Sequence, residues 1–338
     1  MHLSREKYVS YIAGLLVSLT IFSGILLTFG YSPILSLQSI AYGAFGSIYS
    51  VSETLVRVPP LLLSALAFLV GFKARFYNIG IEGQIYMGAL ATYLVSTQLA
   101  SLPSFISITL MALAAFAGGT AWLAVPLFMR IKLQLNELFP TLVMNFIAVL
   151  VISWLTTGPI KDPNANNPQT QAIPSSEWLP ILIPGTRLHI GVLFAIALSL
   201  VVFLIIYKTV LGFEIRASGL SPRAAQQGGV SLSRSVAAVG LLSGGLAGLA
   251  GMFEVAGASH LLAQGFSPGF GYQGIGIAAL GSFHPIGALF ASFLYSILQI
   301  GGETMQRGAG VPIEMIFILQ ATIVLSVLVV QRLVSGRR

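Results

Sequence analysis

Apolar runs of membrane-spanning length alternate along the chain with short polar stretches. Tyr8–Phe29 is 22 residues without a charge, longer than the core of a signal peptide and followed by no small-x-small cleavage site, so it reads as a first span that stays. Further runs cover Thr54–Phe72, Ile85–Leu99, Leu102–Met129, Asn136–Thr156, His189–Tyr207, Ser235–Ala256, Tyr272–Phe283, Pro285–Gly302 and Ile313–Val330. The second is expected to bend at Pro59-Pro60. Tyr272–Phe283 and Pro285–Gly302 are short and hinge at His284-Pro285. Ser32–Ser52 is weakly apolar and Ser/Gly-rich, as expected of a segment at the outer surface. The pattern therefore predicts an all-α membrane protein of about ten transmembrane helices.

Two polar interruptions stand out. Residues 157–188 are rich in Pro and Asn, as in PIKDPNANNPQTQAIP. Leu211–Gly229 reads LGFEIRASGLSPRAAQQGG. Within it, Ser221-Pro222 is a helix start, since Ser can cap free N–H groups and Pro fits the first helical position. Gly228-Gly229 can supply the left-handed stop. A helix of one or two turns is too short to stand alone and must lean on a neighbour.

Composition agrees with the pattern. Of 338 residues, 56% are hydrophobic and 8% charged, against about a quarter charged in soluble domains. The net charge of +7 does not mark a nucleic-acid binder, because the basic residues are scattered between apolar runs. Ten crossings with both termini inside put 13 of the 17 Lys and Arg residues in the cytoplasm; only Arg57, Lys161, Arg187 and Arg307 fall outside. That is the bias of the positive-inside rule. It makes 209–234 cytoplasmic and 157–188 extracytoplasmic, within one permease-like domain over residues 1–338. The absence of cysteine excludes disulfides and thiol chemistry and leaves the compartment open.

No Gly-x4-Gly-Lys-Ser/Thr sequence is present, and nothing resembles a catalytic site. His2, His189, His260 and His284 lack metal-ligand spacing. The chain is thus expected to be no enzyme, to bind no metal or cofactor, and to draw energy from a partner or an ion gradient.

Candidate substrate chemistry lies in two glycine-broken stretches, Asn78-Ile79-Gly80-Ile81-Glu82-Gly83-Gln84 and Gly269-Phe270-Gly271-Tyr272-Gln273-Gly274-Ile275-Gly276. Such breaks in the two halves of a transporter present unwound backbone near the bilayer midplane. Close helix packing through small residues suits the glycines equally well. Asn78, Glu82 and Gln84 favour a site, because polar groups within a span are costly unless paired or lining water. Asn136, Glu137 and Asn145 form a second polar set, with Asn136 and Asn145 on opposite helix faces. Asn136, Asn145 and Gln273 join the substrate candidates. Phe76, Tyr77, Tyr86, Phe139, Phe146 and Trp154 lie nearby in sequence and could stack on a base, although most aromatics in spans are packing or belts.

Several motifs carry a resemblance. Gly212-x-x-x-Arg216-Ala217-x-Gly219 followed by Pro222-x-Ala224-Ala225-x-x-Gly228 resembles the cytoplasmic coupling loop of permeases in the branched-chain amino acid and simple-sugar ABC-importer superfamily. Tyr77-Asn78-Ile79-Gly80-x-Glu82-Gly83-Gln84, Leu135-Asn136-Glu137, Gly158-Pro159-x-Lys161-Asp162-Pro163 and Gly274-Ile275-x-x-Ala278-x-Leu280-Gly281 resemble its nucleoside-type branch. The resemblance covers about residues 8–333. It implies a type II importer permease fold and a docking role for Gly212, Glu214, Arg216, Ala217, Gly219, Pro222, Arg223, Ala224 and Gly228. It also implies an ATPase subunit that binds the ATP, a second and paralogous permease, an extracytoplasmic substrate-binding protein and a small neutral substrate. The bland alternative for 211–229 is a solvated connecting loop. The rival classes are a sugar permease and a carrier driven by Na⁺ or H⁺ through Glu82, Glu254 or Glu314.

Overall fold

The computed structural model describes residues 5–98 and 102–335. His2, Leu99, Arg337 and Arg338 lie outside the described residues, as do the side chains of Arg5 and Lys7. The described residues form thirteen α-helices, α1 to α13, with two isolated β-bridges.

The chain divides into two units, residues 1–55 with 290–338 and residues 56–289. In the first, α1 (Arg5–Thr28) packs on α13 (Glu314–Ser335), with Gly14 against the Val327 backbone. Helix α2 (Pro33–Phe45) occupies the Ser/Gly-rich segment, which is therefore helical. It starts at Ser32, whose hydroxyl accepts from the Leu35 N–H, followed by proline in the first turn. The last part of α12 (Pro285–Ala309) meets α2 where Gly43 faces Thr304 and Gly301 faces Ile40.

The second unit holds most of α3 (Ile48–Lys73), α4 (Ile81–Ser96), α5 (Ser104–Lys132) and α6 (Leu138–Thr157). It continues with α7 (Gly191–Lys208), α8 (Val210–Leu220), α9 (Pro222–Gln227), α10 (Leu232–Met252) and α11 (Phe270–Leu280). Its centre is the seam of α4, α5 and α10. There Gly248 of α10 lies so close to the Ala115 carbonyl and to Gly119 that any Cβ would overlap them. The glycines of α10 thus serve close helix packing, and so do Gly271 against Glu82 and Gly274 against Ser64 in the second broken stretch. Beyond Met252 the helix widens into a π-helical turn, Phe253–Ser259, which ends at His260 in the left-handed region at φ 60°.

Eight helices, rather than the expected ten, are long and apolar enough to cross a membrane among the described residues. The other two expected spans are α4, with 16 residues, and α11, with 11. Both begin at the glycine-broken stretches, where backbone is spent on turns instead of helix. The segment 158–190 is irregular but not loose. Thr170, Ile173 and Leu179 donate their N–H groups to the carbonyls of Leu262, His260 and Ala256, at 2.9, 2.8 and 2.9 Å. Trp178 stacks on His260 with ring centroids 3.8 Å apart.

Candidate functional site

The two broken stretches meet in the second unit. The start of α11 approaches the start of α4 so closely that a Cβ on Gly271 would strike the backbone of Glu82. Only glycine allows this approach. Glu82, buried on the first turn of α4, extends its Oε2 to the Gly271 N–H at 2.7 Å. The Gly269 N–H and the Ser267 hydroxyl also reach the carboxylate. One helix thus supplies a carboxylate cap to the N-terminus of another, where free N–H groups and the helix dipole favour negative charge.

The remaining members of the first polar set are bound to protein groups too. Asn78 donates from Nδ2 to Gln84 Oε1 and to Ser243 Oγ, both at 2.9 Å, and its Oδ1 accepts from Gly80 N and Gln84 Nε2, both at 3.0 Å. Ser243 in turn donates to the Ala67 carbonyl at 2.8 Å, which ties α10 to α3. Asn145 on α6 accepts from Gly83 N at 2.8 Å and donates to the Ile79 carbonyl at 2.9 Å and the Tyr272 hydroxyl at 3.1 Å. The unwound segment between α3 and α4 is therefore held by Asn145 of α6 at the Ile79 carbonyl and, through the Asn78 side chain, by Ser243 of α10. Each is a costly polar group in an apolar surround, and each is paired.

Gln273 differs. Its Nε2 donates to the Pro268 carbonyl at 3.2 Å, but its Oε1 is buried without a hydrogen-bond partner among the described residues. Asn136 stands apart on the surface, where its Oδ1 accepts from Leu138 N and starts α6. Its neighbour Glu137 is buried, accepting from Tyr77 N at 3.0 Å and pairing with Arg130 Nε at 3.3 Å. Glu137 and Asn145 therefore both serve the 77–83 segment, although neither needs to share a cavity with the other.

Of the aromatic candidates, Tyr86 lies beside Glu82 and Tyr272, whereas those on α6 point away. Phe139, Phe146 and Trp154 are 73, 60 and 64% exposed on α6, as lipid-facing residues are. Phe76 is buried, and Tyr86 is buried against Phe266. Ser243 and Tyr272 were not singled out from the sequence. A hydroxyl inside the glycine run of α10, and a tyrosine next to Gln273, were the available signals. Of the acids considered for an ion-driven relay, Glu254 lies 3.6 Å from Arg57 in an ion pair, and Glu82 caps α11.

The 211–229 segment is more helical than its composition suggests. Thr209 caps α8 by accepting from Gly212 N at 3.1 Å. Ser221 occupies the cap position of α9, but its hydroxyl makes no capping bond; proline at the first position suffices. The predicted glycine stop is present in full. Gly229 is left-handed at φ 86°, its N–H reaches the Gln226 carbonyl, and the Val230 N–H reaches the Ala225 carbonyl at 2.9 Å.

The nine docking candidates separate into two groups. Gly212 packs on the Ile205 and Ile206 carbonyls, and Gly219 on the Lys73 carbonyl. Arg216 donates to the Ile206 carbonyl and lies over the Tyr207 ring, 5.4 Å from its centroid. These three face inward, and Glu214 and Ala217 are half-buried. Pro222, Arg223, Ala224 and Gly228 are exposed on α9.

The family described as "Branched-chain amino acid transport system / permease component" matches residues 50–328. The chain is 35% identical over 289 residues to a glucose ABC transporter permease protein of Haloferax volcanii, covering 82% of this chain and 76% of the relative. It is 33% identical over 306 residues to a guanosine ABC transporter permease protein of Bacillus subtilis, covering 90% and 88%. A nucleoside ABC transporter permease protein of Lactococcus lactis is 32% identical over 311 residues, covering 89% and 85%. No solved structure matches the chain. With its eight apolar spans, this match makes the chain a multi-pass protein of the cell membrane and a transport component, not an enzyme. It belongs to the permease-component family of branched-chain amino acid transport systems.

Proposed function

We propose that the chain is a permease subunit of an ATP-driven importer for a nucleoside. The observation that carries this reading is the pair of relatives named for guanosine and for nucleosides, aligned over about nine-tenths of the chain. The relative named for glucose keeps a sugar permease as the second reading. In the nucleoside reading ATP is bound and hydrolysed by a partner ATPase, and an extracytoplasmic binding protein delivers substrate. A second permease completes the pair; B. subtilis has a further guanosine permease protein related to this chain.

The ten segments, α4 and α11 among them, cross the membrane with both termini cytoplasmic. Loop 157–188 is then outside and 209–234 inside, which agrees with the distribution of cations. The exposed residues of α9 dock on the ATPase, while the inward residues of α8 transmit the movement to α3 and α7. At the meeting of α4 and α11, Asn78, Glu82, Gln84 and Asn145 shape the wall of the substrate path. Gln273 has hydrogen-bonding capacity left for a ribose or base.

Competition of labelled uptake by adenosine, guanosine, uridine and ribose separates the two readings. Nucleosides are expected to compete and ribose is not. Competition by ribose alone moves the substrate to the sugar class.

A further inference from the structure

The end of α3, the turn that follows it and α8 line an open cavity of about 420 Å³. Its walls carry Lys73, Arg75 and Arg216, with the rings of Phe72 and Tyr77 and the side chain of Leu220 beside them. Three cations in one cavity repel one another unless an anion joins them. Among the described residues the ion pairs are Arg57–Glu254 and Arg130–Glu137, so none of the three has a carboxylate within ion-pairing distance. Lys73 and Arg216 both lie over the Tyr207 ring, at 5.9 and 5.4 Å from its centroid. That ring gives them only a weak quadrupolar partner.

The backbone adds an independent sign. Helix α3 ends with the Phe76 N–H on the Gly71 carbonyl and the Arg75 N–H on the Phe72 carbonyl, at 3.0 and 3.1 Å. This is the left-handed helix stop at which glycine is the usual residue. The chain instead has arginine there, at φ 54°. A cation at the cavity wall is held in place against its backbone preference.

The location selects the anion. Lys73 is the last residue of one span and Lys208, next to Tyr207, the last of another, so the cavity lies at the level where spans leave the bilayer. Phospholipid phosphates lie at that level, and anionic lipids attract cations there. The first residues of α8 fit the same boundary, with Val210 75% and Phe213 59% exposed.

We propose that this cavity is a binding site for a phosphate group, supplied by the headgroup of an anionic phospholipid. Arginine forks and a lysine ammonium are the usual partners of phosphate oxygens. Phe72, Tyr77 and Leu220 line the way for the adjoining glycerol and acyl carbons. The site is independent of what the permease carries.

The test uses the intact importer complex in nanodiscs of phosphatidylcholine with a minor share of phosphatidylglycerol, read by native mass spectrometry. Wild type retains phosphatidylglycerol selectively. Lys73→Gln and Arg75→Gly each lower its retention by about fivefold, the worth of one cation near an anionic surface. Lys132→Gln, outside the cavity, does not. Arg75→Gly is chosen because glycine suits that backbone, so misfolding cannot account for the loss. Displacement of the lipid by inorganic phosphate identifies the phosphate as the recognised group. Binding of inorganic phosphate to wild type, lost in both variants with no lipid retained, keeps the phosphate site and makes free phosphate its source. Equal retention of both lipids and no phosphate binding overturn the proposal. So does a loss of the ATPase subunit from both variants with lipid retention unchanged, which makes the occupant a partner carboxylate.

Discussion

Glu82 carries most of the local argument, because one side chain fixes the meeting of two helix starts. A carboxylate offers acceptors on both oxygens to the N–H groups of Gly269 and Gly271 and to Ser267. Glutamine keeps the shape and one acceptor oxygen but turns an N–H₂ toward donors. Glu82→Gln should therefore retain partial uptake, and Glu82→Ala should lose it, in assays of equal amounts of inserted protein. Full abolition by glutamine together with uncoupling from an ion gradient would identify a proton or Na⁺ relay. Asn78, Glu82, Gln84 and Asn145 were legible in the sequence because polar groups within apolar runs demand partners. Their partners were not legible. Asn78 meets Ser243, 165 residues away, and Asn145 meets Tyr272, 127 residues away. Neither hydroxyl breaks a hydrophobic pattern, so neither calls attention to itself. The paired state also changes the chemistry expected of the set. Asn78 and Gln84 satisfy each other, which leaves Gln273 with the spare acceptor.

At the scale of elements, the coupling segment divides by direction. Arg216 was expected at a docking surface, yet it reaches back to the end of α7. The reason is geometric: Thr209 interrupts the helix for a single residue, so α8 folds against α7 and its buried face carries Gly212, Ile215 and Gly219. Arg216→Glu places a carboxylate beside the Ile206 carbonyl, and it should lower the melting temperature as well as uptake. Ala224→Asp, on exposed α9, should leave the melting temperature unchanged and weaken co-purification of the ATPase. Equal effects on stability from the two substitutions would contradict this division.

The 158–190 segment gives a pH test. The Gly191 N–H donates to His189 Nδ1 at 3.1 Å, so the ring proton sits on Nε2, which is buried without a partner among the described residues. Burial, and then the charge of His260, push His189 down to about 4. Burial and Arg187 lower His260 as well. Both histidines are therefore held neutral in the folded state, which binds fewer protons than the open one below the ordinary value of 6.5. Loop stability is complete above about pH 6.5 and falls as pH drops toward 4, by on the order of 3 kcal/mol for His189. Protection factors for hydrogen exchange at Thr170, Ile173 and Leu179 should be lower at about pH 5 than at pH 7.5 once the slower intrinsic exchange at the lower pH is divided out, and His189→Phe should flatten the difference. Composition alone suggested a polar connector here; the main-chain bonds to 256–262 arise from pairing over 77 to 92 residues, which no local pattern records.

For the whole molecule, the alternation of apolar runs was enough to make the chain a membrane protein, and eight of the ten expected spans coincide with helices long and apolar enough to cross a membrane among the described residues. The other two, α4 and α11, are short helices of 16 and 11 residues that start within Asn78–Gln84 and Gly269–Gly276. Those two shortened helices are what distinguish the fold from a plain bundle, and glycine supplied the visible clue. The driving force belongs to this scale. A carrier powered by an ion gradient needs a titratable or cation-binding group free to change state. Glu82 is instead engaged with the start of α11, and Glu254 with Arg57. An ATP-driven permease needs only a surface for its ATPase, and the exposed residues of α9 are the ones proposed for it. Uptake of labelled guanosine into proteoliposomes is the most direct measurement. The permease pair, the ATPase and the binding protein are reconstituted with ionophores that collapse Na⁺ and H⁺ gradients. Uptake should require ATP and the ATPase and should persist without a gradient. Uptake by this chain alone, driven by Na⁺ or H⁺ and indifferent to ATP, would contradict it.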